Sequence, residues 1–560
     1  MSIKHFPLLT LFTLISSNLL NAEQSIPKDE NFKIETISEG FEDAMEVAIT
    51  KDGRAFIIER RGKIKLYHPI TQKTVTVAEL KVQYRQSGKS PADRETGLLG
   101  IALDPDFEKN GWIYLYYTPK GKDFSNLSRF TFNGSKLGDE KPILKVPRDI
   151  GNNICHEGGG VEFGPDGLLY LATGDNTNPF MSNGSAPIDE REGKEFADAQ
   201  RTAANTNDLR GKILRIKPRA DGGYDIPEGN LFPKGMAKTK PEIYIMGCRN
   251  PYRFSIDPKT NFLYWGKVGP DGRKKSERGP KGYDEINRAR KAGNHGWPYF
   301  SGNNEPYADY DFATKEVGEF FDPKKPINES INNTGLRDLP VAQPAFVTLN
   351  RSCNAAGPVY YSAMYSDSPY KFPNSMDSSL FTYDWNKGKF TLIRLDEKGN
   401  KVSENMIFKR HRFVHPTDME FGADGELYVL EYGSKWYNGN DGKLKRITYS
   451  QKAITIDDKK ADPRMAGMSA ELPGTNMISE STCLACHMSN QKSIGPMYLD
   501  IAKKYSKKKN AAEYLSHKII QGGKGVWGEQ PMPPHPQHNI EQSLQMAEAI
   551  LQTQATSHDK

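Results

Sequence analysis

Apolar and polar positions alternate along most of this chain in short runs, and the runs repeat. Val161 opens VEFGPDGLLYLATGD and Met419 opens MEFGADGELYVLEYG. In both, an alternating run meets an Asp-Gly reversal and a second alternating run of Leu, Tyr and Val follows, as in two antiparallel strands with one buried face. Looser copies begin at Val47 (VAITKDGRAFIIERRG), Ile101 (IALDPDFEKNGWIYLYYT) and Phe254 (FSIDPKTNFLYWGKVG), and GPVYYSAM with LFTYDWNKGKF supplies strands between the fourth copy and the last. Spacings of roughly 50 to 90 residues suit blades of about four strands with loops inserted between them, so the pattern predicts an all-β propeller of about six blades. A sandwich of similar hairpins is the competing architecture. In a propeller the loops gather at the mouth of a central channel, and the irregular stretch 175–210 is expected to cover a site there.

After Tyr449 the repeat stops. Residues 451–475 are polar and aperiodic and read as a linker, which leaves 23–450 for the propeller and 476–560 for a second domain. That domain contains Cys483-Leu484-Ala485-Cys486-His487, the C-x-x-C-H attachment signature of haem c: two thiols bind the porphyrin covalently and the histidine ligates iron. Zinc would need four nitrogen or sulfur ligands, and no second cysteine pair follows. For the other face of the iron, Met532 lies in a proline-stiffened GGKGVWGEQPMPPHP, with His535 as its competitor; Met488 adjoins the proximal histidine and Met497 comes too early. With IGPMYLDIAKKY before this stretch and the helical IEQSLQMAEAILQ after it, the segment resembles a small, all-α class I bacterial cytochrome c.

Charge and composition narrow the setting. The balance of 76 basic and 70 acidic residues, +6 overall, is too small to indicate a nucleic-acid partner. Lys4 and His5 precede an apolar run that ends near Ala22, the pattern of a signal peptide over 1–22. No later run reaches the roughly 20 apolar residues of a membrane span, so a periplasmic or secreted protein is expected. Cys155, Cys248 and Cys353 remain outside the haem motif, an odd number that permits at most one internal disulfide.

Five segments in order carry a resemblance: ETGLLGIALDPDFEKNGWIYLYYT, CHEGGGVEFGPDGLLYLATGDNTNP, DLRGKILRIKP, MGCRNPYRFSIDP and VGPDG with GYDEINRARKAGNHGWP. Together they are similar to the soluble glucose/sorbosone dehydrogenase family, six-bladed propellers that oxidise sugars with pyrroloquinoline quinone (PQQ) and calcium. By this resemblance His156 takes the general-base position, and Arg249 with Asn250 is the Arg-Asn pair beside the quinone. Imidazole titrates near neutrality, as proton removal during hydride loss requires, and a guanidinium fork suits a carboxylate or a developing oxyanion. The plainer readings are a histidine bonded to its own turn and a structural arginine. The glycines 158–160 are expected to let a ligand approach the backbone.

Glu95, Glu157, Lys387, His415 and Thr417 are the further candidates for binding PQQ, and Glu157 is also the second candidate base. For calcium it implies the carbonyls of Gly269 and Pro270 and the carboxylate of Glu285, hard oxygen donors that suit this ion. An insertion, 271–282, separates the two halves of that motif. There are departures: Cys155 stands where the glucose enzymes have Asp, His295 where they have Tyr, and His415-Pro416-Thr417-Asp418 where two arginines clasp the quinone. Lys387, Arg410 and Arg412 are nearby replacements.

The expectation is an exported quinohaemoprotein that oxidises a sugar or aldehyde at a PQQ-calcium site, passes electrons to its own haem c, and from there supplies a downstream acceptor. The alternative is a carbohydrate- or protein-binding propeller carrying an electron-transfer cytochrome, without dehydrogenase activity.

Overall fold

The computed structural model describes residues 26–84, 95–365, 368–437, 439–450, 463–465, 467–469, 472–481, 483–490 and 494–554. The signal-peptide reading, and the linker up to residue 462, lie outside them. Six antiparallel sheets form the first body, with inner strands Ala44–Ile49, Leu98–Leu103, Val161–Phe163, Phe254–Ile256, Asn354–Tyr360 and Pro416–Phe421. Each repeated segment of the sequence contributes the inner hairpin of one blade. The third blade is extended at its outer edge, where Ile243–Met246 pairs in parallel with Gly293–Asn294.

The ring closes through the start of the chain. Phe32–Phe41 pairs antiparallel with Gly442–Tyr449, from Phe32 opposite Tyr449 to Phe41 opposite Gly442, and becomes the outermost strand of the sixth blade. Phe32 is 1% exposed and meets Phe372, Phe408 and Tyr449 edge-on, with centroids 5.2, 5.1 and 5.7 Å away. Neighbouring blades are stitched by acids of the inner strands. Asp418 accepts the Val47 amide (2.9 Å), Glu420 that of Ile49 (3.0 Å) and Glu162 that of Ile256 (3.3 Å). Buried Arg253 spans several blades at once, donating to the carbonyls of Met45 (2.6 Å) and Leu99 (3.3 Å).

The second body has helices Pro473–Glu480, Tyr498–Tyr505, Ala511–Gln521 and Ile540–Leu551, and one short hairpin, Gly523–Gly525 with Gly528–Met532. The last helix starts in a capping box, Asn539 and Gln542 each satisfying the other's backbone N–H. Its core contains Ile478, Ile519, Met546 and Ile550. Met465 packs into the same core, so chain read as linker already belongs to this body.

Candidate active site

His156 sits in the turn between the second and third blades with a left-handed backbone, φ 69°. Such a conformation is uncommon outside glycine and persists only where its surroundings enforce it. They do so by close packing. A Cβ on Gly174 would lie 2.0 Å from the His156 carbonyl oxygen, and one on Gly159 (φ 135°) would lie 2.8 Å from Leu99 Cβ. Of the glycines expected to admit a ligand, Gly158 packs against strand Leu169–Thr173 but also lines the cavity of the site, whereas Gly159 is packed against Leu99 and Gly160 against the Phe254 ring.

The result is an oriented imidazole. Nδ1 of His156 is 2.7 Å from Oδ1 of Asp175. Asp175 is fully buried, and its other oxygen accepts the Trp297 indole N–H at 2.7 Å. A carboxylate held this way keeps the proton on Nδ1 and leaves the Nε2 lone pair as the base. Glu95 accepts the His156 amide (2.8 Å) and a longer bond from Asn250 (3.4 Å), while the Asn250 carbonyl oxygen accepts the Gly158 amide (3.0 Å). Arg249 donates to the Val268 carbonyl at 3.1 Å.

His156, Glu95, Arg249 and Asn250 line one side of a cavity of about 680 Å³. Lining the same cavity are five arginines, Arg60, Arg249, Arg253, Arg273 and Arg351, and the flat rings of Trp385, Trp436 and Tyr437. Cationic forks and ring faces fit a planar polycarboxylate such as PQQ.

The remaining residues expected around the quinone lie elsewhere. Glu157 is buried against Arg148 (3.4 Å) and Asn176 (3.0 Å). Thr417 bonds the Tyr252 hydroxyl (2.8 Å), and Lys387 lies 3.6 Å from Asp384. His415 stacks on Trp385, centroids 4.0 Å apart, behind the cavity wall. Arg410 pairs with Glu30 (3.5 Å) on the outer side of the molecule. Cys155 lines the cavity, and His295 is buried beside Trp265, where burial pushes its pKa down to about 3. No disulfide joins any of the five cysteines.

The two halves of the calcium motif do meet, since a Cβ on Gly269 would lie 1.9 Å from the Tyr283 carbonyl oxygen. Glu285, however, is already neutralised. Its Oε2 is 2.8 Å from the Lys267 ammonium and 3.0 Å from the Asn287 amide, and Oε1 accepts the Gly302 N–H at 2.7 Å. A divalent cation would have to displace Lys267, so this donor set does not fit calcium. Among the described residues no group of three or more His, Cys, Asp or Glu side chains could hold a metal ion.

Across the cavity lies the haem motif. Cys483, Cys486, His487 and Met532 all line it. Nδ1 of His487 is 2.8 Å from the Pro496 carbonyl, which keeps the proton on Nδ1 and leaves Nε2 as a lone pair able to ligate a metal. Burial lowers the pKa of His487, favouring the neutral ligand form. Gly495 is required here, because a Cβ would stand 2.5 Å from the imidazole Cε1. Met532, at the end of the hairpin, and His535 both line the haem pocket. His535 is engaged with the propeller: its Nδ1 lies 3.2 Å from Nη1 of Arg273, a residue of the 271–282 insertion that also donates to Gln537 (2.9 Å).

Asp175, Trp297, Trp385, Arg273 and Arg351 were not singled out from sequence. Asp175 and Trp297 stand in ATGD and NHGWP, within the segments that carry the resemblance, whereas nothing local marks the other three.

Fold and cavity define a six-bladed propeller joined to a small cytochrome c-type domain. The profile of the Glucose / Sorbosone dehydrogenase family matches residues 41–444, and the chain belongs to that family. Quinoprotein glucose dehydrogenase B of Acinetobacter calcoaceticus is 28% identical over 330 residues, 55% of this chain but only 62% of that protein. Cytochrome c-552 of Hydrogenobacter thermophilus is 45% identical over 75 residues, 13% of this chain and 76% of that protein. The PQQ-bound aldose sugar dehydrogenase of Streptomyces coelicolor shares the propeller fold at a TM-score of 0.50 and 18% identity, over 75% of this chain and 98% of that one.

Proposed function

We propose that this chain is an exported quinohaemoprotein dehydrogenase that oxidises an aldose- or sorbosone-like sugar or an aldehyde and delivers the electrons to its own haem c. One observation carries the reading: His156, held from behind by Asp175 and Trp297, and the haem-attachment residues Cys483, Cys486 and His487 line a single cavity. Bound there, PQQ supplies a two-electron acceptor and haem c a one-electron carrier. His156 Nε2 removes the proton from the substrate hydroxyl as hydride is lost, or from the hydrate when the substrate is an aldehyde. Asp175 holds the ring in place and stabilises the imidazolium that forms, and Trp297 holds Asp175. Arg249 and Asn250, on the same wall, orient the acceptor and counter negative charge developing on it.

Cys483 and Cys486 bind the haem, with His487 and Met532 as its iron ligands. Calcium enters no step. Among the described residues no helix is long and apolar enough to cross a membrane, and a C-x-x-C-H domain suits a periplasmic setting with a further electron acceptor downstream.

The test is spectroscopic. Full-length, haem-loaded protein is incubated with PQQ, and the oxidised haem spectrum is followed after addition of individual aldoses and aldehydes. Haem reduction by any of them supports the reading. An unchanged spectrum with all of them, in protein shown by mass spectrometry to hold the quinone, returns the chain to a binding propeller with an attached cytochrome.

A further inference from the structure

Between the propeller and the first helix of the cytochrome lies the single turn Pro463–Met465, and its Arg464 is 0% exposed. A buried guanidinium is stable only where acceptors replace its water. Here they come from the propeller. Nη1 lies 2.6 Å from Nε2 of His415 and 3.3 Å from the Asn386 carbonyl. The His415 ring is set to receive it, because its Nδ1 is 2.7 Å from the Gly433 carbonyl and must carry the proton. Nε2 is then a lone pair aimed at the arginine. The ring is also clamped against Trp385, whose indole lines the cavity.

The backbone of the same residue belongs to the other body. Its carbonyl accepts the amide of Ser489 at 2.8 Å, two positions beyond the haem-ligand candidate His487, and Met465 next to it packs in the cytochrome core. One residue thus joins the haem-attachment segment to the wall of the active-site cavity. It lies outside the stretch matched by the dehydrogenase family, 41–444.

We propose that Arg464 is a positioning residue: inserted against His415, it docks the haem-attachment segment over the propeller mouth and keeps the haem close to the site of oxidation. This rests on the dehydrogenase reading only for its kinetic consequence. Electron tunnelling falls steeply with distance, so a docked haem is reduced quickly and a detached one waits for chance encounters. Removing a charge-assisted hydrogen bond from a buried site lowers the docking equilibrium by roughly tenfold or more.

The experiment compares full-length, haem-loaded wild type with Arg464→Gln and, in case that variant folds poorly, Arg464→Lys, which retains a donor. Three quantities are read: small-angle scattering, substrate-driven reduction of the internal haem, and substrate-driven reduction of a small diffusible dye. Arg464→Gln is expected to enlarge the radius of gyration and to slow internal haem reduction at least about tenfold. The dye rate and the haem spectrum should stay at wild-type values, and Arg464→Lys should recover part of the loss. Unchanged scattering in both variants overturns the proposal, as does internal reduction within twofold of wild type. If wild type reduces neither haem nor dye with any substrate, the dehydrogenase reading fails while the scattering comparison still decides the docking role.

Discussion

At the scale of single residues, reactivity depends on second partners. His156 is legible in the sequence through the motif around it, but a histidine becomes a directed base only when one ring nitrogen is occupied, and Asp175 does this from the far end of a strand. His156→Asn should leave quinone and haem content intact and slow substrate-driven haem reduction by about 10² or more, the usual contribution of positioned proton transfer. Stopped-flow rates normalised to bound quinone check this; a normalised rate within about threefold of wild type removes His156 from the chemistry. The iron ligands allow a separate expectation. Met532→Ala should keep the haem attached through Cys483 and Cys486 but abolish the weak long-wavelength band of methionine-to-iron charge transfer. Survival of that band, or its absence from wild type, transfers the role away from Met532, with His535 next in line.

At the scale of elements, the blades follow directly from the alternating runs, since period-two burial and an Asp-Gly turn specify a hairpin locally. Ring closure does not. Strand Phe32–Phe41 is separated from its partner Gly442–Tyr449 by the whole propeller, and its own pattern looks no different from an ordinary edge strand. The aromatic cluster around Phe32 makes it a latch. Phe32→Ala is expected to cost about 3–5 kcal/mol, the range for deleting a fully buried phenylalanine. Urea unfolding of the full chain would show it as a lower midpoint for the propeller transition, with the cytochrome's Soret signal unaffected.

At the scale of the whole molecule, the carboxylates of the inner strands converge from different blades. Burial raises Glu162 to about 8 and Asp418 to about 6, and it raises Glu420 and Glu46 well above the ordinary range, with repulsion from neighbouring carboxylates adding to the effect at the three glutamates. A carboxyl whose pKa is higher folded than unfolded stabilises fully below its unfolded value and loses that contribution as pH rises through the folded one. For Glu162 the window runs from 4.5 to about 8. Thermal stability should therefore fall as pH rises across that window. Glu162→Gln, which keeps an acceptor for the Ile256 amide, should flatten the slope; an unaltered slope in this variant would assign the dependence to other groups.

Much was legible from the chain alone. The six-bladed repeat, the haem-attachment motif and the family likeness all rest on neighbours in sequence, where local geometry and covalent chemistry leave little freedom. Only the tertiary structure decided what required separate segments to meet. It packed Gly159 and Gly160 against neighbouring blades while leaving Gly158 on the cavity wall, tied Glu285 to Lys267, placed His415 behind the cavity wall against Arg464, and put the expected quinone-side and haem-side residues around one cavity. The physical reason is common to all four: side-chain pairing and desolvation depend on which surfaces face each other, and that is settled by how blades and domains pack, not by spacing along the chain.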